Sequence, residues 1–150
     1  MKAKKSPLIL NSFLLLNHKY KFIQPFDTPD INKIMDSYDI EVDYAINQST
    51  KGYYQLFTKI DINSIDKPLP GYNLFIEGVC LFSFDNNKEI PQLTKNQLLH
   101  ASGISICINS LRNILSVITS NGPFGRYTLP SIDVNQLMAE KNEFQRRRNK

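Results

Sequence analysis

The sequence has no tryptophan, and its 150 residues include only two cysteines and two histidines. Cys80 and Cys107 lack the CxxC spacing of zinc and redox sites and lie inside apolar runs. We interpret them as buried free thiols in a reducing compartment. His18 and His100 are far apart and have no cluster of ligand residues around them, so we expect neither a metal nor a cofactor.

The usual sequence features of enzymes are also missing. The six glycines are scattered, which excludes a glycine-rich loop of the kind that holds a phosphate. Nothing in the sequence brings either histidine near a carboxylate, as a Ser-His-Asp or Cys-His site would require. We therefore predict that the protein is not an enzyme.

Long apolar runs are absent as well. No run approaches the roughly 20 residues of a membrane helix. The lysines and apolar residues at the start imitate a signal peptide, but Asn11 and Ser12 interrupt the run and no A-x-A cleavage site follows. We expect a cytoplasmic protein without membrane insertion.

The net charge of +4 comes from the two ends of the chain. Lys2, Lys4 and Lys5 stand at one end, and residues 146–150 carry four more of the 18 basic residues. Without these seven, 11 basic residues face 14 acidic ones, a net charge of −3. We expect residues 1–7 and 145–150 to be flexible, and the absence of a basic folded face argues against nucleic-acid binding.

Alternating apolar residues predict four strands, at residues 8–23, 40–46, 54–62 and 72–84. In the first strand, one face would carry Leu8, Leu10, Leu14, Leu16, Tyr20 and Phe22. Two prolines in residues 24–38 indicate a crossover, with a helical turn after Pro29. Four strands followed by two helices predict a single α+β domain over residues 1–150, whose antiparallel sheet is covered by the long helix.

The long helix is predicted between residues 94 and 120. Its apolar face has spacings of three and four residues: Ile104, Cys107, Ile108, Leu111, Leu115 and Ile118. A second stripe carries small or polar residues rather than Lys and Glu: Ser105, Asn109, Arg112 and Ser116. This stripe is either the serine-rich outer face of a core helix or a contact with another subunit. Asp133 and Gln136 form a predicted capping box that opens the second helix.

The order of these motifs resembles the SecB family of bacterial export chaperones. The matching residues are Arg112, the Ser-Asn-Gly-Pro-Phe turn at 120–124 and the Leu-Pro-Ser-Ile-Asp segment at 129–133. The match continues without gaps through Leu137 and Met138. Residues 18–25 resemble the first-strand signature of the family, in which a basic residue and alternating apolar positions precede Phe-x-x-Pro.

The resemblance implies a homotetramer, a dimer of dimers, in the bacterial cytoplasm. It implies an ATP-independent holdase that captures unfolded preproteins and delivers them to the SecA translocation motor. Apolar residues at strand ends, in loops and on the second helix would line the client groove, or would simply seal the ends of the core: Phe22, Phe26, Tyr38, Phe124, Tyr127 and Leu137. Carboxylates on the outer face of the sheet would meet the motor: Glu41, Asp43, Asp61 and Glu77.

Two features depart from the family. Lys19 stands where an acidic residue is usual, and the C-terminal tail is basic. A SecB-like chaperone of a toxin–antitoxin system, with an antitoxin as its client, therefore stays open. So does a non-chaperone module that binds a small ligand or nucleic acid on the same scaffold.

Overall fold

Four strands form one antiparallel sheet in the computed structural model, which describes residues 1–87 and 89–148. Strands β1 (Leu8–Ile23), β2 (Ile40–Gln48), β3 (Tyr54–Ile62) and β4 (Gly71–Phe84) are arranged in the order β1–β4–β3–β2. The predicted strands and the α+β class are confirmed. Because β1 and β2 are at the edges, each of them has one side on which the described residues place no neighbouring strand.

The crossover from β1 to β2 passes from one edge of the sheet to the other. It contains the short helix α1 (Ile31–Asp36), whose first turn is capped by Asp30. The Asp30 carboxylate accepts the Lys33 N–H at 3.2 Å, as an N-cap residue does. The helical turn predicted after Pro29 is confirmed.

The alternation in β2, β3 and β4 places the predicted apolar residues on one face, which is covered by the helices. Leu56, Ile60, Ile76 and Phe82 on this inner face are fully buried. The opposite, outer face carries the polar and charged members of the same strands, together with a few apolar ones. The sheet therefore has its hydrophobic core on one side.

The predicted faces of β1 are wrong in part. The register with β4 shifts between Leu10 and Ser12 and again between Leu15 and Asn17, so β1 contains two bulges. Each bulge adds a residue without a partner on β4, so the residues after it point to the opposite face from the one that strict alternation predicts. Consequently Leu14 pairs with Val79 on the outer face, while Phe13 and Leu15 point to the inner side.

The long helix is a continuous unit with a wider turn in it. α2 (Gln92–Leu98) passes through a π-helical segment (Leu99–Gly103) into α3 (Ile104–Thr119). By length and composition alone, Gln92–Thr119 could cross a membrane, but the apolar stripe of α3 packs against β3 and β4. Both cysteines are buried as predicted. The Cys107 thiol donates to the Leu56 carbonyl at 3.5 Å.

The second helix, α4 (Val134–Arg148), begins at the predicted residue. The Asp133 carboxylate accepts the N–H groups of Asn135 and Gln136, both at 3.0 Å. The Gln136 side chain does not return to Asp133 but donates to Glu140 at 2.8 Å, so half of the capping box forms. Residues 145–148 of the expected flexible end are helical, and residues 149–150 lie outside the described residues.

Candidate functional site

An open groove runs between the free edge of β2 and α4. Its volume is about 770 Å³, and an adjoining hollow of about 430 Å³ shares several of its lining residues. The apolar lining comes from β2, from the segment before α4 and from α4 itself: Ile40, Val42, Ile132, Leu137 and Phe144. Phe144 follows Leu137 by seven residues, or two helical turns, so both side chains lie on the same side of α4.

The free edge of β2 offers unpaired backbone groups to this groove. The Asp39 carbonyl accepts the Asn63 N–H at 2.9 Å, so Asp39 points toward β3. In an antiparallel ladder the direction of these groups alternates along the strand. The N–H and C=O groups of Ile40, Val42 and Tyr44 therefore point away from β3, toward the side on which α4 lies.

Lys141 of α4 crosses the middle of this edge. Its ammonium donates to the Tyr44 carbonyl and to the Asp43 carboxylate. It also lies 4.7 Å from the centre of the Tyr44 ring. The same Asp43 carboxylate accepts the Tyr44 N–H at 2.8 Å. Both outward backbone groups of Tyr44 are thus occupied by side chains of the same chain.

The charge of Asp43 is favoured by these contacts. Burial raises the pKa of the Asp43 carboxyl, but the Lys141 ammonium and the Tyr44 N–H together outweigh burial, and the pKa is below its usual value. Lys59, which pairs with Asp43 in the sheet register, acts in the same direction. The carboxyl group is therefore ionised at neutral pH and pairs with the Lys141 ammonium.

Beyond Lys141 the groove becomes polar. A hollow of about 480 Å³ continues along the second half of β2 between α2 and α4. Five of its twelve lining residues have carboxamide side chains: Gln48, Gln92, Asn96, Asn142 and Gln145. Carboxamides both donate and accept hydrogen bonds, which suits them to peptide groups. The groove thus has an apolar half and an amide half, and Lys141 stands between them.

Aromatic residues cluster where the end of β1 meets the segment after α3. The ring centres of Phe22 and Phe124 are 5.3 Å apart, and those of Phe22 and Tyr72 are 6.0 Å apart. Behind them, the rings of Tyr38 and Tyr127 are 5.8 Å apart. Tyr38 and Tyr127 are buried, whereas Phe22 and Phe124 are half-buried.

The six residues predicted for the client groove are therefore not in one place. Leu137 lines the groove beside β2, and Phe22 and Phe124 share the aromatic cluster. Tyr38 and Tyr127 lie in the core, where no client could reach them without local opening. Phe26 is fully exposed in the crossover. Val42 and Ile132 also line the groove, although the sequence pattern assigned them only to a strand and to the link before α4.

The four predicted acidic residues all lie on the outer face of the sheet. Glu41 pairs with Asp61 in the register, and Glu77 pairs with Lys59, which in turn pairs with Asp43. Basic residues of the same face are interspersed among them, so the face has mixed charge.

The polar stripe of the long helix is partly engaged within the chain. The Arg112 guanidinium donates to the carbonyls of Leu129 and Pro130, both at 2.9 Å, and to the Asn109 side chain. Arg112 therefore clamps the extended link before α4. The Ser105 hydroxyl donates to the Ala101 carbonyl one turn earlier at 2.8 Å, while Ser116 is half-buried.

This arrangement is suited to binding an extended peptide. The groove combines an unpaired backbone edge, an apolar lining and carboxamides. Within residues 1–87 and 89–148, no group of three or more His, Cys, Asp and Glu side chains is placed to hold a metal ion.

Comparison with known proteins identifies the fold. No protein-family model and no curated protein matches the sequence. The structure is similar to that of the SecB-like chaperone Rv1957 of Mycobacterium tuberculosis, solved with a ChAD peptide from the Rv1956 HigA1 antitoxin. The TM-score is 0.62 at 14% identity, over 84% of this chain and 91% of that one. The predicted SecB-like fold is confirmed.

A second solved structure is more distant. A protein of unknown function from Streptococcus agalactiae matches with a TM-score of 0.37 at 9% identity, over 83% of this chain and 97% of that chain.

Proposed function

We propose that the protein is an ATP-independent holdase chaperone of the bacterial cytoplasm that binds extended segments of non-native polypeptide. The observation that carries the proposal is the apolar groove beside the free edge of β2. An extended client can add its backbone to this edge, while its apolar side chains enter the groove. Backbone pairing is independent of sequence, which a chaperone with many clients requires.

Two classes of client are consistent with this groove. One is an unfolded preprotein that is passed to SecA for export, as the sequence resemblance implies. The other is an antitoxin, because Rv1957 was solved with an antitoxin peptide. The mixed charge of the outer face favours the antitoxin, since Lys19 and Lys59 interrupt the carboxylates that an acidic motor-binding face would need.

We also propose that the protein works as a homotetramer, a dimer of dimers. The polar stripe of the long helix is one candidate contact. A second is β1, whose free edge is 16 residues long and which carries six large apolar side chains with exposures of 39–49%: Ile9, Leu10, Leu14, Leu15, Leu16 and Tyr20. A long apolar edge invites pairing with another strand. Two copies of β1 can pair antiparallel about a twofold axis.

The direct test of the holdase activity is suppression of aggregation without nucleotide. A slowly refolding client is diluted from denaturant, and light scattering is followed with and without the protein. The double variant Leu137→Ser/Phe144→Ser should protect the client less well because it removes apolar lining from the groove. Leu93→Ser is the matched control, since Leu93 is a 69% exposed residue of α2 outside the groove. If the wild-type protein protects no client, the proposal fails.

A further inference from the structure

We propose that Asp43 and Lys141 form a latch that sets how far a bound strand can extend along β2. The latch comprises these two side chains and their bonds to the backbone of Tyr44. This inference rests on the proposed function, because it concerns the same groove. With the latch, the site distinguishes clients by their length, which the groove alone does not do.

The latch imitates an added strand. A client strand beside β2 would donate an N–H to the outward Tyr44 carbonyl and would accept the outward Tyr44 N–H with a carbonyl. In the free protein, the Lys141 ammonium donates to that carbonyl, and the Asp43 carboxylate accepts that N–H at 2.8 Å. A strand that pairs with both groups of Tyr44 must displace both side chains, and Lys141 holds Asp43 in this position through their ion pair.

The position of the latch divides the edge into two parts. On one side, Ile40 and Val42 offer their outward backbone groups beside the apolar half of the groove. On the other side, Ile46 continues the edge beside the amide half. A short segment can pair with the first part while the latch is closed. A longer segment must displace the latch to reach both parts.

The latch is built so that it can open. The Lys141 side chain is 22% exposed and that of Asp43 is 54% exposed, so solvent screens the pair. Ion pairs of this exposure contribute little to stability. Lys141 is also held by the face of the Tyr44 ring, at 4.7 Å from its centre, so the closed position is favoured without being locked. A client that gains several hydrogen bonds and contacts beyond Tyr44 can compensate for opening it.

The experiment compares the affinities of two fluorescein-labelled peptides of alternating valine and serine, whose termini carry no charge. One peptide has about four residues and the other about nine, which spans the usual length of natural strands. Lys141→Met removes the ammonium but keeps an apolar stem of similar length. Lys59→Met is the matched control, because Lys59 also lies beside Asp43 but makes no bond to Tyr44. Circular dichroism verifies that both variants are folded.

We expect Lys141→Met to bind the long peptide roughly two- to fivefold more tightly than the wild type does, the range of a partly exposed ion pair. The short peptide should bind wild type and variant equally, and Lys59→Met should behave like the wild type. Added salt should strengthen binding of the long peptide to the wild type but not to Lys141→Met, because salt weakens the latch. A long peptide with N-methyl groups on alternate residues should lose the gain, since it cannot donate to Tyr44.

Three results would overturn the latch. If Lys141→Met leaves the affinity for the long peptide unchanged, the latch does not limit the strand. If it weakens the binding of both peptides, Lys141 contacts the client directly. If the N-methylated peptide binds like its parent, no strand is added at Tyr44. In each case the wild type still binds peptide and the holdase proposal stands. If the wild type binds neither peptide and suppresses no aggregation, the proposed function itself fails.

Discussion

The Tyr72 hydroxyl donates to the Gly125 carbonyl at 2.7 Å, across 53 residues of the chain. The same oxygen accepts the Phe124 N–H at 3.1 Å. One phenol of β4 thus fixes the segment after α3 on the sheet and holds Phe124 against Phe22 in the aromatic cluster. Tyr72 itself is fully buried, and its two partners, Phe124 and Gly125, are half-buried.

Tyr72→Phe should therefore destabilise the fold. The variant leaves the Phe124 N–H and the Gly125 C=O without their partner, which costs about 1–3 kcal/mol of unfolding free energy. Chemical denaturation checks this value. Tyr53→Phe is the control, because Tyr53 is 49% exposed, and its stability should equal that of the wild type. Equal stability of both variants would mean that the Tyr72 hydroxyl does not hold the segment.

A second prediction concerns Gly71 at the start of β4. Its φ is +101°, and a Cβ there would lie 2.1 Å from the Tyr38 hydroxyl and 2.7 Å from the Phe124 ring. That hydroxyl cannot move freely, because it donates to the Pro70 carbonyl at 2.9 Å and accepts the Tyr72 N–H at 2.8 Å. Gly71→Ala should destabilise the fold by about 2–5 kcal/mol, from overpacking and backbone strain together.

Gly52 provides the matched comparison. It too has a positive φ, +81°, but a Cβ there would meet nothing within 4 Å. Gly52→Ala should cost only the backbone strain, about 1–2 kcal/mol. Thermal unfolding of the two variants separates the two contributions. If both melt at the same temperature, the contact of Tyr38 with the Gly71 backbone is looser than the distances indicate.

The buried tyrosines predict a loss of stability in alkali. Burial raises the pKa of Tyr38, Tyr72 and Tyr127 above the usual value of 10.0. In Tyr127 the neighbouring Tyr38 and Asp36 add to the effect of burial. Because the folded-state pKa exceeds the unfolded one, the stabilisation is complete below about pH 10 and is lost as the pH rises through the folded values.

Phenolate absorbance against pH tests this expectation. Of the seven tyrosines, Tyr38, Tyr72 and Tyr127 should ionise only as the circular dichroism of the fold disappears. In denaturant, all seven should ionise together as the control. A single reversible ionisation of all seven with native circular dichroism would show that the three phenols are accessible in the folded protein.

Features that depend on local periodicity could be predicted from the sequence. Features that depend on contacts with the backbone of residues far away in the sequence could not. The strict alternation in residues 40–46 correctly placed Val42 and Tyr44 on the inner face. The two bulges of β1 could not be foreseen, because the consecutive apolar residues at 8–10 and 13–16 give no alternation that a register shift would interrupt. Tyr127 lies in a loop, which suggested exposure, yet it is buried beside Tyr38.

The groove was the least predictable part of the molecule. It exists because α4 lies beside the free edge of β2, and no sequence pattern states which edge a helix will cover. The partners of Lys141 and Arg112 are mostly backbone carbonyls. Every residue has a carbonyl, so the sequence cannot show which ones these side chains will reach. Leu137 could be placed on the apolar side of α4 from its spacing, but not opposite Val42.

The last prediction concerns how copies of the protein assemble. If β1 edges form the dimer and the polar stripes of the long helices join two dimers, each contact can be broken separately. Leu10→Lys/Leu16→Lys places charges on the β1 edge, a device by which natural edge strands avoid pairing. Ser105→Glu/Ser116→Glu places charges on the stripe. An unpaired charge costs several kcal/mol when it is buried in a contact, so either double variant should reduce the tetramer to dimers.

The two pairs of substitutions together should then give monomers. Light scattering at tens of micromolar, roughly the range in which weak contacts dissociate, measures the size of each species. Leu93→Lys is the control, because Leu93 is more exposed than Leu10 and Leu16 but lies in neither contact, and it should leave the tetramer intact. A tetramer that persists with all four substitutions would exclude both contacts. If only the substitutions in β1 change the size of the assembly, the stripe makes no contact between subunits. Its polar groups then act within one chain, where Arg112 holds the link before α4.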